Sequence, residues 1–162
     1  EQGKKVAVSV AFRKTMEEML NKLHAAGVAA VGIDGQMSPN EKERNRLAFQ
    51  NGPAQVIVFT VEEAISLHQG EYPGDTHARV LLVHDIRWSA IQMAQIEGRC
   101  HRDGKNAPVM WLAAADTVDV DIAHVMIDKV KSMKAMHGDN VGDLAAIEQV
   151  LAARIQGSVK GK

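Results

Sequence analysis

The chain has 162 residues, 46% of them hydrophobic, and a formal net charge of -1. That length and composition suit one globular domain with a substantial core and exclude a disordered segment. The near-neutral balance excludes a strongly basic module of the histone or ribosomal kind but leaves room for a local basic patch.

Val6-Ala-Val-Ser-Val-Ala-Phe12 is a short valine-rich run and reads as a buried strand. Thr15 and Glu18 have capping-box spacing, so a helix is expected from there, with Met16, Met19, Leu20 and Leu23 on its core face. Gly27 should end it. Val28 to Ile33 forms a second strand. Ser38-Pro39-Asn40-Glu41 is a second helix start, with N-cap, proline at the first position and a capping glutamate. That helix runs to about Gln50, where Asn51-Gly52-Pro53 stops it. Gln55 to Thr60 is a third strand, Val61 to Gln69 a short helix or ordered loop, and Gly70 to Thr76 a polar turn. Ala78 to Asp85 is the fourth strand. Ser89 to Gln95 reads as a helix with Ser89 at its N-cap, and Pro108 to Ala114 as the fifth strand. A long helical stretch follows from about Val118 to Met136, then an amphipathic segment from Val141 to Ile155 and a flexible Gly/Ser/Lys tail.

Strands alternating with helices predict an α/β fold: a parallel sheet of five or more strands with helices on both faces. Residues 1–137 form the main lobe on this reading, and 138–162 a C-terminal helix and tail. Ligands in such sheets gather at the carboxyl ends of the strands. Phe12-Arg13, Thr60, Asp85-Arg87 and the pair Arg99/Arg102 all fall near such ends.

The stretch Gln95-Ile-Glu-Gly98-Arg99-Cys-His-Arg102-Asp-Gly104-Lys105 organises the rest. Arg99 and Arg102, three residues apart on the helix after the fourth strand, share a face, so both guanidinium groups can aim at one target. Guanidinium forks match phosphate oxygens and stabilise charge that shifts during phosphoryl transfer. The alternative is a surface helix whose arginines make ordinary salt bridges.

This pattern resembles motif VI of superfamily-2 helicases and translocases, Q-x-x-G-R-x-x-R-x-G-Q, with Lys105 in place of the last Gln. The resemblance to the second, RecA-like lobe of such motors covers residues 5 to 137. Val6 to Leu23 resembles the motif IV region. Gly35, Ser38, Glu43-Arg44 and Phe49-Gln50 resemble the stretch that reads H/D-G-x-x-S-x-x-E-R followed by F-Q. Val58-Phe-Thr60 to Leu67 is placed like motif V, although Thr60-Val-Glu-Glu-Ala-Ile-Ser-Leu67 lacks its glycines. Ile65-Ser-Leu-His68 and Asp85-Ile-Arg-Trp-Ser89 are similar to Swi/Snf-related helicases, including those of phages and large DNA viruses.

The resemblance implies half of an ATPase site. No G-x-x-x-x-G-K-[S/T] loop and no Walker-B acidic pair are present in the sequence, so ATP with Mg²⁺ is expected mainly on a separate N-terminal RecA-like lobe. This chain would contribute Arg102 as arginine finger, Arg99 to close the cleft, and Gln95 and Gly98 at the nucleotide. Phe12, Arg13 and Thr60 would contact the backbone of nucleic acid, duplex DNA with RNA as the other option. Alone, the chain is expected to be inactive. The rival reading is a non-catalytic RecA-like binding or regulatory module, for which the glycine-free motif V argues.

Other chemistry is weaker. The seven histidines are scattered, and no metal site is expected from their spacing. Cys100 reads as a packing residue, because neighbouring His101 faces elsewhere on a helix. The single cysteine also excludes an intramolecular disulfide framework and fits a reducing, intracellular compartment, or a host cytoplasm for a phage protein. No apolar run approaches the roughly 20 residues that span a bilayer, so no membrane partner is expected. The start at Glu1, without signal peptide or methionine, suggests a fragment of something longer or a processed product.

Overall fold

The apolar runs become parallel strands because each connection is long enough to carry the chain back to the start of the sheet, by a helix or, between the third and fourth strands, by a stretch whose described residues are loop. The computed structural model describes residues 3–60, 65–85, 90–100 and 107–112, and beyond them 114, 117, 122, 124–126, 129 and 132. In order, the elements are β1 (Lys4–Ser9), α1 (Arg13–Ala25), β2 (Ala30–Ile33), α2 (Pro39–Gln50), β3 (Val56–Phe59), β4 (Ala78–Val83), α3 (Ala90–Glu97) and β5 (Val109–Trp111). The five strands form one sheet in the order β2-β3-β1-β4-β5. Every neighbouring pair is parallel, as the alternation of strand and helix predicts. β1 is central, with Val6 opposite Val56 on one side and Val80 on the other.

Side chains alternate across the sheet. On one face Val8, Val10, Val56 and Val58 pack with Met16, Met19, Leu20 and Leu23 of α1, so the methionines of that helix do fill core. The approach is close at Gly32, where a Cβ would sit 2.8 Å from Leu20 Cδ1 and 3.1 Å from Met16 Sδ. The other face carries Ala7, Ile57 and Leu81, all fully buried, with Phe49 of α2.

Two helix ends follow their sequence signals. Ser38 and Glu41 form the expected capping box, and Pro39 opens α2. Gly27 has φ 72°, and the last turn of α1 closes with Val28 N–H donating to Leu23 O and Gly27 N–H to His24 O. This is the Schellman arrangement, and Val28 and Leu23 both pack on the core below it. The start of α1 corrects the sequence reading. The helix begins at Arg13, with Phe12 as an N-cap that makes no side-chain bond, so Thr15 lies inside the first turn. β1 also ends at Ser9, earlier than Phe12. After the third strand, residues 65–68 are loop rather than helix, while residues 61–64 lie outside the described ones.

The chain divides into two compact units, residues 1–85 with 95–112, and residues 86–94 with 113–162. In the second, the described residues of the predicted long helix, 122, 124–126, 129 and 132, are all helical, and Ile122 and Met126 are buried. The expected segment 138–162 lies outside the described residues, as does the boundary at 137.

Candidate functional site

The carboxyl ends of β1 and β3 lie side by side, which brings the turn after β1 and Thr60 together at that end of the sheet. Thr60 is half-buried and its N–H donates to Ile33 O at 3.0 Å. Phe12 is 68% exposed, an unusual position for a phenyl ring. The turn that carries it is held from β4: Asp85 Oδ2 accepts the Ala11 N–H at 2.6 Å, and Asp85 Oδ1 lies 3.0 Å from His84 Nδ1. Arg13 is exposed but engaged. Its Nε lies 2.8 Å from Glu17 and 3.3 Å from the buried Asp34 carboxylate, and its Nη1 donates to Gln36. Asp34 is itself fixed, accepting the N–H groups of Gln36 at 2.8 Å and Met37 at 3.1 Å. The anchoring roles of Asp34 and Asp85 had a readable signal, an acid one or two residues past a strand.

The motif VI residues differ from expectation in one respect. α3 ends at Glu97, and Gly98, Arg99 and Cys100 form a turn after it. Arg99 therefore does not lie on the helix, and the shared-face argument for Arg99 and Arg102 does not apply. Gln95 and Gly98 are exposed and Arg99 is half-buried. Arg102, Gly104 and Lys105 lie outside the described residues, as do Arg87 and Trp88. The Arg99 backbone is tied on both sides: its N–H donates to Ile96 O at 3.2 Å, and its carbonyl accepts the Leu67 N–H at 2.9 Å. Cys100 is 1% exposed. Burial pushes its thiol up to about 12, against the pull of the Arg79 charge, which fits a packing residue.

Beneath this turn lies a polar cluster that the sequence reading missed. Lys5 and Arg79 are cross-strand partners on β1 and β4, and both are buried. Two cations side by side repel, and each is surrounded by acceptors. Lys5 Nζ donates to the carbonyls of Phe49 and Gly52. Burial, and then Arg79, hold the Lys5 ammonium below its ordinary pKa. Arg79 Nε donates to Leu67 O at 3.0 Å, Nη1 to His77 O at 2.6 Å, and Nη2 to Gln50 Oε1 at 2.6 Å and to Asp75. Gln50 Nε2 in turn donates to Ser66 O at 3.0 Å and Glu71 Oε2 at 2.8 Å. The signal was present: Arg79 is in phase with Leu81 and Val83, so period-2 alternation puts it on a buried face.

Residues 1–104 match the family model described as the Helicase conserved C-terminal domain. The chain belongs to that family. This helicase C-terminal domain is 28% identical over 134 residues to the human protein named lymphoid-specific helicase, covering 82% of the chain but only 16% of that relative's length. Two solved structures share its fold. The C-terminal part of the Fun30 ATPase domain matches with a TM-score of 0.63 at 13% identity, over 93% of this chain and 48% of that one. The E. coli DEAD-box protein SrmB, bound to regulator of ribonuclease activity A, also gives 0.63 at 19% identity, over 79% and 71% of the two chains. The sheet is thus the RecA-like fold of helicase C-terminal domains.

Proposed function

We propose that this helicase C-terminal domain is the second motor lobe of an ATP-dependent DNA helicase or translocase of the Swi/Snf-related group. Its Arg99 and Arg102 serve ATP bound on a separate N-terminal lobe. The observation that carries this reading is the Gln95, Gly98, Arg99, Arg102 spacing inside the matched family region. The fixed backbone of Arg99 supports it, since a guanidinium acting on phosphate oxygens works best when its anchor costs no reorganisation.

The donor set fits a shared nucleotide site. Arginines can complement phosphate charge. Mg²⁺ belongs mainly to the other lobe on this reading. Bound Mg²⁺-ATP supplies the phosphoryl group whose transfer to water drives the motor. From this chain, Arg102 stabilises charge on the transferring group, Arg99 draws the lobes together, and Gln95 and Gly98 line the nucleotide side. Phe12, Arg13 and Thr60 contact the backbone of the nucleic acid, duplex DNA in preference to RNA. An α1 start with no side-chain cap supports that assignment, because its N–H groups favour phosphate.

The test is Arg102→Ala in the chain joined to its N-terminal lobe. Arginine fingers contribute about 10³-fold or more in kcat. DNA-stimulated ATP hydrolysis should fall by that order, with an unchanged circular dichroism spectrum. Near-normal turnover would sink the assignment. The second reading is a non-catalytic binding or regulatory module, favoured by Val61-Glu62-Glu63-Ala64, where glycines would let backbone approach a phosphate.

A further inference from the structure

We infer that Arg79 is a positioning residue for Arg99, acting through the backbone of Leu67. The inference rests on the reading of Arg99 as a nucleotide-facing arginine.

The connection is two hydrogen bonds long. Arg79 Nε donates to the Leu67 carbonyl at 3.0 Å, and the Leu67 N–H donates to the Arg99 carbonyl at 2.9 Å. Leu67 is fully buried, so neither of its backbone groups can turn to water instead. A parallel tie runs through the preceding residue, whose carbonyl accepts from Gln50 Nε2 at 3.0 Å. Gln50 and Arg79 are bonded to each other at 2.6 Å. The strap Ser66-Leu67 is therefore clamped from below by one rigid unit and clamps Arg99 above.

Arginine is a costly choice for this position. Its side chain is 1% exposed, it lies in register with another buried cation, and its neighbours on the same face of β4 are Leu81 and Val83. An apolar residue would fill the space without desolvating a charge. What only arginine supplies is a planar fork that reaches four acceptors in fixed directions: Leu67 O, His77 O, Gln50 Oε1 and Asp75. Lysine has no such plane. The charge is balanced by Asp75, and the Phe49 ring lies 5.2 Å from the guanidinium carbon. The fork thus converts a buried ion pair into a fixed height for the Leu67 backbone, and so for the Arg99 turn.

The experiment is a double-mutant cycle in the chain joined to its N-terminal lobe. Arg79→Lys keeps charge and bulk but loses the fork. Displacing a positioned group by about an ångström can cost 10²-fold. The expected result is a fall in kcat for ATP of about tenfold or more with KM little changed, measured at a temperature where the variant, which loses buried hydrogen bonds and melts lower, is still folded. In an Arg99→Ala background the same substitution should cause no further fall, because its effect passes through Arg99. An equal fall in both backgrounds would make Arg79 a structural residue only, and no fall in either would remove its role. Gln50→Met, run through the same cycle, tests the parallel tie should Arg79→Lys fail to fold. Full turnover by Arg99→Ala alone would overturn the nucleotide-facing reading, and with it this inference, which separates the two failures.

Discussion

Ser38 satisfies both ends of the first turn of α2. Its Oγ accepts the Glu41 N–H at 3.3 Å, and its own N–H donates to Glu41 Oε2 at 2.9 Å. The Ser38 hydrogen bonds come first in holding the Glu41 carboxyl below its ordinary range. Ser38→Ala should cost about 1 kcal/mol of stability, read as a lower midpoint in urea with an unchanged slope. An unchanged midpoint would mean the box is cosmetic. At this scale the sequence was most readable where a residue's chemistry is local. The Ser38 box and the Gly27 stop needed no tertiary knowledge. The start of α1 did, because Phe12 has no capping chemistry to recognise, and Thr15 with Glu18 imitates a box from inside the first turn. Gly98 was a stop signal of the same kind as Gly27. Reading it as such would have taken Arg99 off the helix.

At the scale of elements, the loop between β3 and β4 is organised by Asp75 and Arg79. Asp75 is buried, which alone would raise its pKa. The Gly70 N–H and the Arg79 guanidinium outweigh that and hold the carboxyl below its ordinary 3.8. A carboxylate depressed on folding contributes stability that is full above the unfolded pKa and is lost as pH falls through the folded one. The domain should therefore lose stability on acidification below about pH 4, from this group among others. Asp75→Asn should flatten that part of the profile while lowering stability at neutral pH, measured by urea unfolding from pH 7 to pH 3. A profile identical to the parent's would show that Asp75 carries no such linkage. This cluster escaped the sequence reading because its members come from β1, α2, the loop and β4. Alternation along β4 shows that Arg79 is buried, but only the sheet order shows that it meets Lys5, and only the packing of α2 that it meets Gln50.

Across the whole molecule, the alternation of apolar runs and amphipathic segments was enough to specify a parallel α/β sheet, since parallel neighbours need helical crossovers. The strand order β2-β3-β1-β4-β5 was not readable, because crossover direction depends on which edge each helix finds open. That order puts the carboxyl ends of β1, β3 and β4 together, and with them Phe12, Thr60 and Asp85. The candidate site was readable as a motif and a set of strand ends. Its internal ties, Asp85 to Ala11 and Leu67 to Arg99, were not, because they join residues far apart in sequence.

On the proposed function, this lobe completes an ATPase site that it does not hold alone. The direct test measures ATP hydrolysis with and without duplex DNA, on this chain and on the chain joined to its N-terminal lobe. The chain alone should show no turnover, and the joined form DNA-stimulated turnover. Hydrolysis by the isolated chain, or none by the joined form, would contradict that function, the latter pointing to a domain that binds without turning over.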